Sequence, residues 1–259
     1  MAKQLLIYES AVPVSASRHG DVSFEASLNY AFSAGINAVP LMAVEFVRAA
    51  TEYAIVFAAA GDDFLPAAVL GVRGDQNLYL AADANWRAEY IPAFIRRYPF
   101  VFSSSTDGKT LTLCVDESHP GFNRTGKGQR LFGEDGKPSP YTDQVLKFLQ
   151  QYQAHFERTK VFGKHLKELG LLEAMQAEVT TPAGEKVKLG GFHTVSREKL
   201  RALSGEALES LAKTDELELL YLHLYSMRNF SEVKDRLIQA LAPSGDSATS
   251  EPPPAEAIH

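Results

Sequence analysis

One segment of the sequence, residues 77–102, concentrates the side chains with the greatest capacity for recognition. It reads NLYLAADANWRAEYIPAFIRRYPFVF and holds the only tryptophan of the chain, six tyrosines or phenylalanines and three arginines. Aromatic rings beside guanidinium groups form surfaces that stack and donate hydrogen bonds. We therefore predict a ligand-binding surface in this segment, made by Trp86, Tyr90, Arg96, Arg97 and Tyr98.

The two adjacent arginines of this segment allow two interpretations. Arg96 and Arg97 lie about 100° apart on a helix, so they face one ligand together only if the helix ends there. Pro99 predicts such an end, because the residue before a proline is displaced from the helical region. The alternative is that both arginine stems cover aromatic rings and keep their charged heads in water. Trp86 likewise is either a core anchor or a ligand platform.

Candidate catalytic residues lie near the N-terminus. His19 stands beside Arg18 and Asp21 in a segment expected to be a loop, where a nearby carboxylate can tune an imidazole. His19 and Asp21 are therefore the candidates for acid–base chemistry. The sequence supplies no nucleophile that can be assigned to them.

The sequence predicts neither a metal site nor a cofactor. His155, His165 and Glu168 align along one predicted helix, and a single helix cannot surround an ion. The run GFNRTGK at 121–127 has the spacing of a phosphate-binding loop, but Gly128 stands where that loop needs a serine or threonine.

The composition excludes several classes of protein. The 259 residues carry a formal net charge of −6, whereas binding to a phosphate backbone needs a positive surface, so we predict no nucleic-acid partner. The single Cys114 cannot close an intramolecular disulfide. The run LLIY is too short for a secretion signal, and no run reaches the roughly 20 apolar residues that span a membrane. We expect a cytoplasmic protein or, alternatively, a cell-surface protein exported by a signal-independent route.

The first half of the chain is predicted to be rich in strands. AIVFAAA is a continuous apolar run typical of a buried strand. LPAAVLGVRG and NLYLAAD are predicted to form a hairpin, and so are FVFSSS and TLTLCVD around a turn at 106–109. Pro92 predicts the first turn of a short helix.

The second half is predicted to be helical after a long loop at 117–140. Apolar residues recur every three or four positions from Tyr141, and Gly170 is a natural end for this helix, with a break near Gly163 left open. A hairpin turns at 182–184, and LELLYLHLYSM is predicted to be a buried helix.

These patterns together predict an α+β protein, in which a mixed or antiparallel sheet of the first half packs against a helical second half. One domain is expected at 1–242, made of a β-rich part at 1–116, the loop 117–140 and an α-rich part at 141–242. Residues 243–259 lack apolar periodicity and are predicted to be a disordered tail.

The order of these segments resembles the SapC family of bacterial proteins. The resemblance extends to about Leu241, and IPAFIRRYPF is its most specific part. The other segments that carry it are RHGDVSF, VPLMAVEFVRAATEYAIVF, AAVLGVRGDQNLYL, RLFGEDGKPSP, LKELGLL, GGFHTVSREKLRALSG and LELLYLHLYSMRNF. The family takes its name from a member associated with a bacterial surface layer, and it supplies no catalytic residues that carry over to this chain.

The residues and the resemblance predict a non-catalytic binding or accessory protein linked to surface-layer or envelope biology. We expect it to recognise a peptide, protein or polysaccharide through residues 86–97 and the loop 117–140. The alternative is an enzyme that acts on a small polar or peptide substrate through His19, Asp21 and the two adjacent arginines. The oligomeric state is left open.

Overall fold

The protein is described by a computed structural model over residues 6–27, 29–105 and 110–242. The tail predicted at 243–259 and the turn predicted at 106–109 lie outside the described residues. The strands are β1 (Ala11–Pro13), β2 (Ser23–Phe24), β3 (Ala38–Pro40), β4 (Ile55–Ala60), β5 (Asp63–Val69), β6 (Phe100–Ser104), β7 (Leu111–Asp116), β8 (Phe122–Asn123), β9 (Gln129–Arg130), β10 (Leu172–Thr180) and β11 (Lys186–Val195).

The helices of the first half are single short turns, and those of the second half are longer. They are α1 (Ala16–His19), α2 (Phe46–Ala49), α3 (Ala93–Arg96), α4 (Pro140–Glu168), α5 (Arg197–Arg201), α6 (Gly205–Lys213), α7 (Glu216–Ser226) and α8 (Phe230–Leu241). Short 3-10 helices occur at Ala31–Ser33, Ala43–Glu45 and Met227–Asn229.

The largest sheet is antiparallel, with the strand order β10-β11-β4-β5-β3. The predicted strand AIVFAAA forms β4, which pairs with β5 around a turn at Gly61, where φ is +67°. The predicted hairpin of the second half, β10 and β11, joins this sheet where Phe192 pairs with Ala58. The second half of the chain therefore contributes two strands to the main sheet as well as helices.

The long helix α4 lies against the main sheet without a break. Ser139 caps its start, since the Ser139 side chain accepts a hydrogen bond from Thr142 N at 3.2 Å. The chain leaves the helix at Gly170, where φ is +63°. Gly163 lies inside the helix, and only a glycine fits there, because a Cβ at this position would stand 1.9 Å from Phe64 O of β5. The glycine thus serves close packing of helix on sheet, and it does not interrupt the helix.

Two smaller antiparallel sheets have the strand orders β1-β7-β6 and β8-β2-β9. The first contains the predicted hairpin of FVFSSS and TLTLCVD. The second pairs Ser23 and Phe24 with two short strands that lie within the predicted loop 117–140. That loop is therefore tied to the N-terminal part of the chain.

The predicted hairpin between LPAAVLGVRG and NLYLAAD is wrong, since the strand β5 within the first segment pairs with β4 and β3. The Asn77 side-chain oxygen accepts a hydrogen bond from Tyr79 N at 2.9 Å, which turns the chain locally. Tyr79 is fully buried, so packing of this ring positions the segment. The strand geometry found there is one isolated bridge between Leu80 and Trp86.

Helix α7 has a buried and an exposed face, so the prediction of a buried helix holds for one face only. Tyr221 and Tyr225 are 51% and 47% exposed. On the opposite face, His223 is fully buried and joins the helix to two strands. Its Nδ1 donates to Ile55 O at 2.9 Å, and its Nε2 accepts from Val195 N at 3.0 Å.

The predicted α+β fold class is confirmed, with antiparallel sheets and with most of the helical residues in the second half. Helices α4 and α7 pack on the main sheet through β5, β4 and β11. Within the described part of the chain, no helix has both the length and the apolar character required to cross a membrane.

Candidate functional site

Trp86 lies at the edge of the main core and is partly buried. Its Nε1 donates to the hydroxyl of Tyr53 at 2.7 Å, and this hydroxyl donates to Tyr90 O. The indole also stacks on Tyr79 at a ring separation of 6.3 Å and meets Tyr30 edge-on at 5.7 Å. An indole with its donor satisfied inside an aromatic cluster is an anchor of the core.

Glu45 organises the backbone and side chain around Tyr90. In the sequence it is marked only by its position three residues after Met42, at the start of a short helix. The buried carboxylate accepts hydrogen bonds from the Tyr90 hydroxyl at 2.6 Å, Ala93 N at 2.7 Å and Met42 N at 2.7 Å. Three donors compensate the burial of its charge. Burial, reinforced by Glu45, raises the pKa of Tyr90, so this hydroxyl stays a donor.

A cavity of 560 Å³ opens beside Tyr90, and we call it the polar pocket. Its volume lies in the range of about 300–1,000 Å³ that is usual for ligand sites. Arg48 and Arg96 line it, and neither forms an ion pair with a described residue, whereas Arg18, Arg73, Arg124 and Arg236 do. Its lining includes Glu45, Arg48, Tyr90, Arg96, Phe148 and His155.

A second cavity of 330 Å³ lies between α3, α4 and the segment 24–32, with His119 in its wall, and we call it the aromatic pocket. Tyr98 stacks on Phe32 in its wall, with ring centres 4.1 Å apart. Arg96 and Phe148 line this pocket and the polar pocket alike, so the two pockets are neighbours. The lining of the aromatic pocket includes Tyr30, Phe32, Arg96, Tyr98, His119 and Phe148.

Arg96 is the exposed member of the arginine pair, at the last residue of α3. Its Nε donates to Ile91 O at 2.9 Å. The guanidinium lies 5.4 Å from the ring centre of Phe148 and 5.8 Å from that of Tyr90. The side chain is thus held by aromatic rings and remains accessible from both pockets.

Arg97 is only 4% exposed, and its charged head is buried along with its stem. The guanidinium lies 4.3 Å from the ring centre of Phe94, 4.8 Å from that of Tyr152 and 5.7 Å from that of Tyr8. Burial raises the pKa of Tyr152 to about 12, an effect that the Arg97 charge opposes. Its packing makes Arg97 part of the core, although its side chain reaches the wall of the aromatic pocket.

His119 lines the aromatic pocket, and sequence reasoning missed it. Its Nδ1 accepts a hydrogen bond from Gly121 N at 2.9 Å, and its ring centre lies 5.4 Å from that of Tyr98. Burial lowers the pKa of His119, so the imidazole is neutral at pH 7. The register of the β6–β7 hairpin was a usable signal, because pairing of Phe100 with Val115 brings Tyr98 and His119 to the same end of the hairpin.

His19 and Asp21 engage different partners. His19 is 2% exposed; its Nδ1 accepts from Ser15 N at 3.2 Å, and its Nε2 donates to the Glu117 carboxylate at 3.0 Å. Asp21 is exposed and forms an ion pair with Arg124, which lowers the pKa of Asp21. Asp21 does not line the cavity of 180 Å³ beside His19. The two candidate catalytic residues are therefore not assembled into one pair.

The two histidines of α4, His155 and His165, lie in separate environments. His155 lines the polar pocket, whereas His165 Nδ1 lies 3.1 Å from the carboxylate of Glu216. Among the described residues, no group of three or more His, Cys, Asp or Glu side chains is placed to hold a metal ion.

The comparison with known families confirms the resemblance that the order of the sequence segments indicated. The model of the SapC family matches residues 14–233, a span that contains the named lining residues of both pockets. The chain therefore belongs to the SapC family. No curated protein and no solved structure matches it.

Proposed function

We propose that this protein is a binding or accessory protein that holds part of a peptide, protein or polysaccharide in the cleft formed by the polar pocket and the aromatic pocket. The observation that carries the proposal is the position of Arg96 and Phe148 in the walls of both pockets. A ligand that contacts these two side chains has access to hydrogen-bonding groups on one side and to aromatic faces on the other.

The chemistry of the cleft suits an extended polar ligand. The stacked pair of Phe32 and Tyr98 offers faces on which a sugar ring or a planar side chain packs. Arg48 and Arg96 offer donors without an ion-pair partner in the described residues. An apolar surface with a few placed polar groups is the usual composition of a binding site.

Two ionisable groups of the cleft, Glu45 and His119, support binding rather than catalysis. Glu45 accepts three hydrogen bonds from its own surroundings, which a general base would have to give up. His119 uses Nδ1 to bind the Gly121 backbone. Both groups are therefore engaged in holding the walls of the cleft.

A role in the bacterial surface layer or envelope extends this proposal, and its support is the membership of the SapC family. A peptide segment or a polysaccharide of the envelope would then be the natural occupant of the cleft.

The test is a search for ligands with a displayed peptide library and an array of oligosaccharides. The purified wild-type protein should retain a peptide or an oligosaccharide. Phe148→Ala should weaken the binding of that probe by about tenfold or more, because it removes the wall shared by both pockets. Arg228→Ala is a control outside the cleft, since Arg228 lines neither pocket. Retention of no probe, or equal binding by wild type and Phe148→Ala, would contradict the proposal.

A further inference from the structure

The aromatic pocket carries positive charge in its wall. Arg96 and Arg97 contribute to its wall, and within the described residues the lining contains neither Asp nor Glu. The whole chain, in contrast, has a formal net charge of −6. A cationic pocket on an acidic protein favours an anionic ligand over a cationic one.

Arg96 is positioned as a receptor for that anion. The bond from its Nε to Ile91 O and the ring contact with Phe148 restrain its guanidinium plane. It forms no ion pair with any described residue. A planar guanidinium with terminal N–H groups facing one way matches a planar carboxylate better than it matches a neutral group.

His119 is a second polar residue in the lining of the same pocket. Because the backbone N–H of Gly121 donates to Nδ1, the neutral imidazole carries its proton on Nε2. Among the described residues, no hydrogen-bond partner accepts from this Nε2. An acceptor atom of the ligand is therefore expected on this side of the pocket.

The remaining walls are planar and apolar. Phe32 and Tyr98 stack at 4.1 Å with 27° between their planes, and Phe24 and Tyr141 lie nearly parallel at 6.2 Å. The volume of 330 Å³ is at the small end of ligand sites, which suits one ring-sized group.

We infer that the aromatic pocket binds a carboxylate that carries an aromatic or other planar apolar group, with the carboxylate on Arg96 and the planar group between the aromatic walls. This inference rests on the proposed function, because it names the ligand class of the same cleft. Two sources supply this chemistry. One is a free aromatic acid, and the other is the C-terminal residue of a peptide, whose preceding residues continue past Arg96 into the polar pocket.

The test uses three probes in isothermal titration calorimetry: acetyl-Gly-Gly-Phe with a free carboxylate, the same peptide with a C-terminal amide, and hydrocinnamate. The free peptide should bind at least about tenfold more tightly than the amide, because only the carboxylate forms a charge-assisted pair with Arg96. Arg96→Ala should abolish this preference, and Arg96→Lys, which keeps the charge without the fork, should reduce it. Arg228→Ala should leave it unchanged. If hydrocinnamate binds as tightly as the free peptide, the ligand is a small acid. If hydrocinnamate binds more weakly, the ligand is a peptide C-terminus.

Equal affinities of the free peptide and the peptide amide overturn the inference. It is also overturned if Arg96→Ala, shown by circular dichroism to be folded, still prefers the free peptide over the amide. Absence of binding by both carboxylate probes up to about 10 mM also overturns it, since a specific site should exceed this affinity. If a neutral peptide or oligosaccharide still binds with dependence on Phe148, only the ligand class is wrong. If no probe of any kind binds, the proposed function is wrong as well.

Discussion

The guanidinium of Arg96 lies 5.4 Å from the ring centre of Phe148, and these two side chains line both the polar pocket and the aromatic pocket. Arg96 ends α3, whereas Phe148 lies on α4, so the contact joins segments that are distant in the sequence. The cation–π contact gives the exposed arginine a defined position without burying its charge. The cleft is therefore organised around a restrained and accessible cation.

The adjacent arginines should differ sharply in their effect on stability. Arg97→Ala should lower the free energy of unfolding by about 2–4 kcal/mol, because it removes a buried side chain packed on three rings. Arg96→Ala should change it by less than about 1 kcal/mol, because Arg96 is exposed. Chemical denaturation of the two variants measures both values. Equal losses would show that the assignment of one arginine to the core and the other to the cleft is wrong.

Trp86 should act as a structural residue in stability measurements. Trp86→Ala should cost about 3 kcal/mol of unfolding free energy, since it empties a partly buried site between Tyr79 and Tyr30. Trp86→Phe keeps most of the ring packing and loses the hydrogen bond to Tyr53, so it should cost about 1 kcal/mol. If Trp86→Ala left thermal and chemical stability unchanged while abolishing ligand binding, Trp86 would belong to the binding surface after all.

His223 should make the protein less stable in mild acid. Burial lowers the pKa of His223 to about 4, below the ordinary value of 6.5. Between these two values the unfolded chain binds the additional proton, so stability is complete above pH 6.5 and declines as the pH falls toward 4. At about 1.4 kcal/mol per pH unit, the expected loss between pH 6.5 and pH 5 is about 2 kcal/mol. The lowered pKa of His119 acts in the same direction.

The matched variant for this pH dependence is His223→Gln, which retains a donor and an acceptor but does not titrate. It should be less stable than wild type at pH 7, yet its unfolding free energy should decline less steeply between pH 6.5 and pH 5. Urea denaturation at several pH values provides the comparison. An identical slope in both proteins would exclude His223 as the source.

Gly163 should resist replacement even though it lies inside a helix. Alanine favours helices by about 1 kcal/mol over glycine, but its Cβ would stand 1.9 Å from Phe64 O, so α4 would have to move away from β5. We expect Gly163→Ala to lower the melting temperature. Gly205→Ala is the control, because its Cβ position at the start of α6 has no atom of another described segment within 4 Å. A stabilised Gly163→Ala protein would be inconsistent with the close approach of helix and sheet.

Local patterns in the sequence predicted the elements whose causes are local. The apolar run of β4, the spacing of apolar residues along α4 and the stop at Gly170 each act within a few residues. The pairing of the β10–β11 hairpin with β4 depends on contacts between distant segments, and no local pattern encodes it. The prediction of a hairpin that includes residues 77–83 was wrong because burial of Tyr79 outweighed the strand propensity of its neighbours.

The cleft was predictable only in part for the same reason. Tyr90, Arg96 and Tyr98 come from one segment, and composition pointed to them. Phe148 follows the apolar spacing of α4 and so looks like any core residue of an amphipathic helix. His119 reaches the pocket through strand register, which requires the hairpin to be placed first.

Locating a bound ligand tests the central claim most directly. A crystal structure of the protein with the tightest-binding peptide or oligosaccharide should show that probe in contact with Arg96 and Phe148, with a ring or planar group about 4.5–7 Å from the ring centre of Tyr98 or Phe32. A probe bound outside both pockets, with Arg96 and Phe148 untouched, would contradict the assignment of this cleft as the binding site.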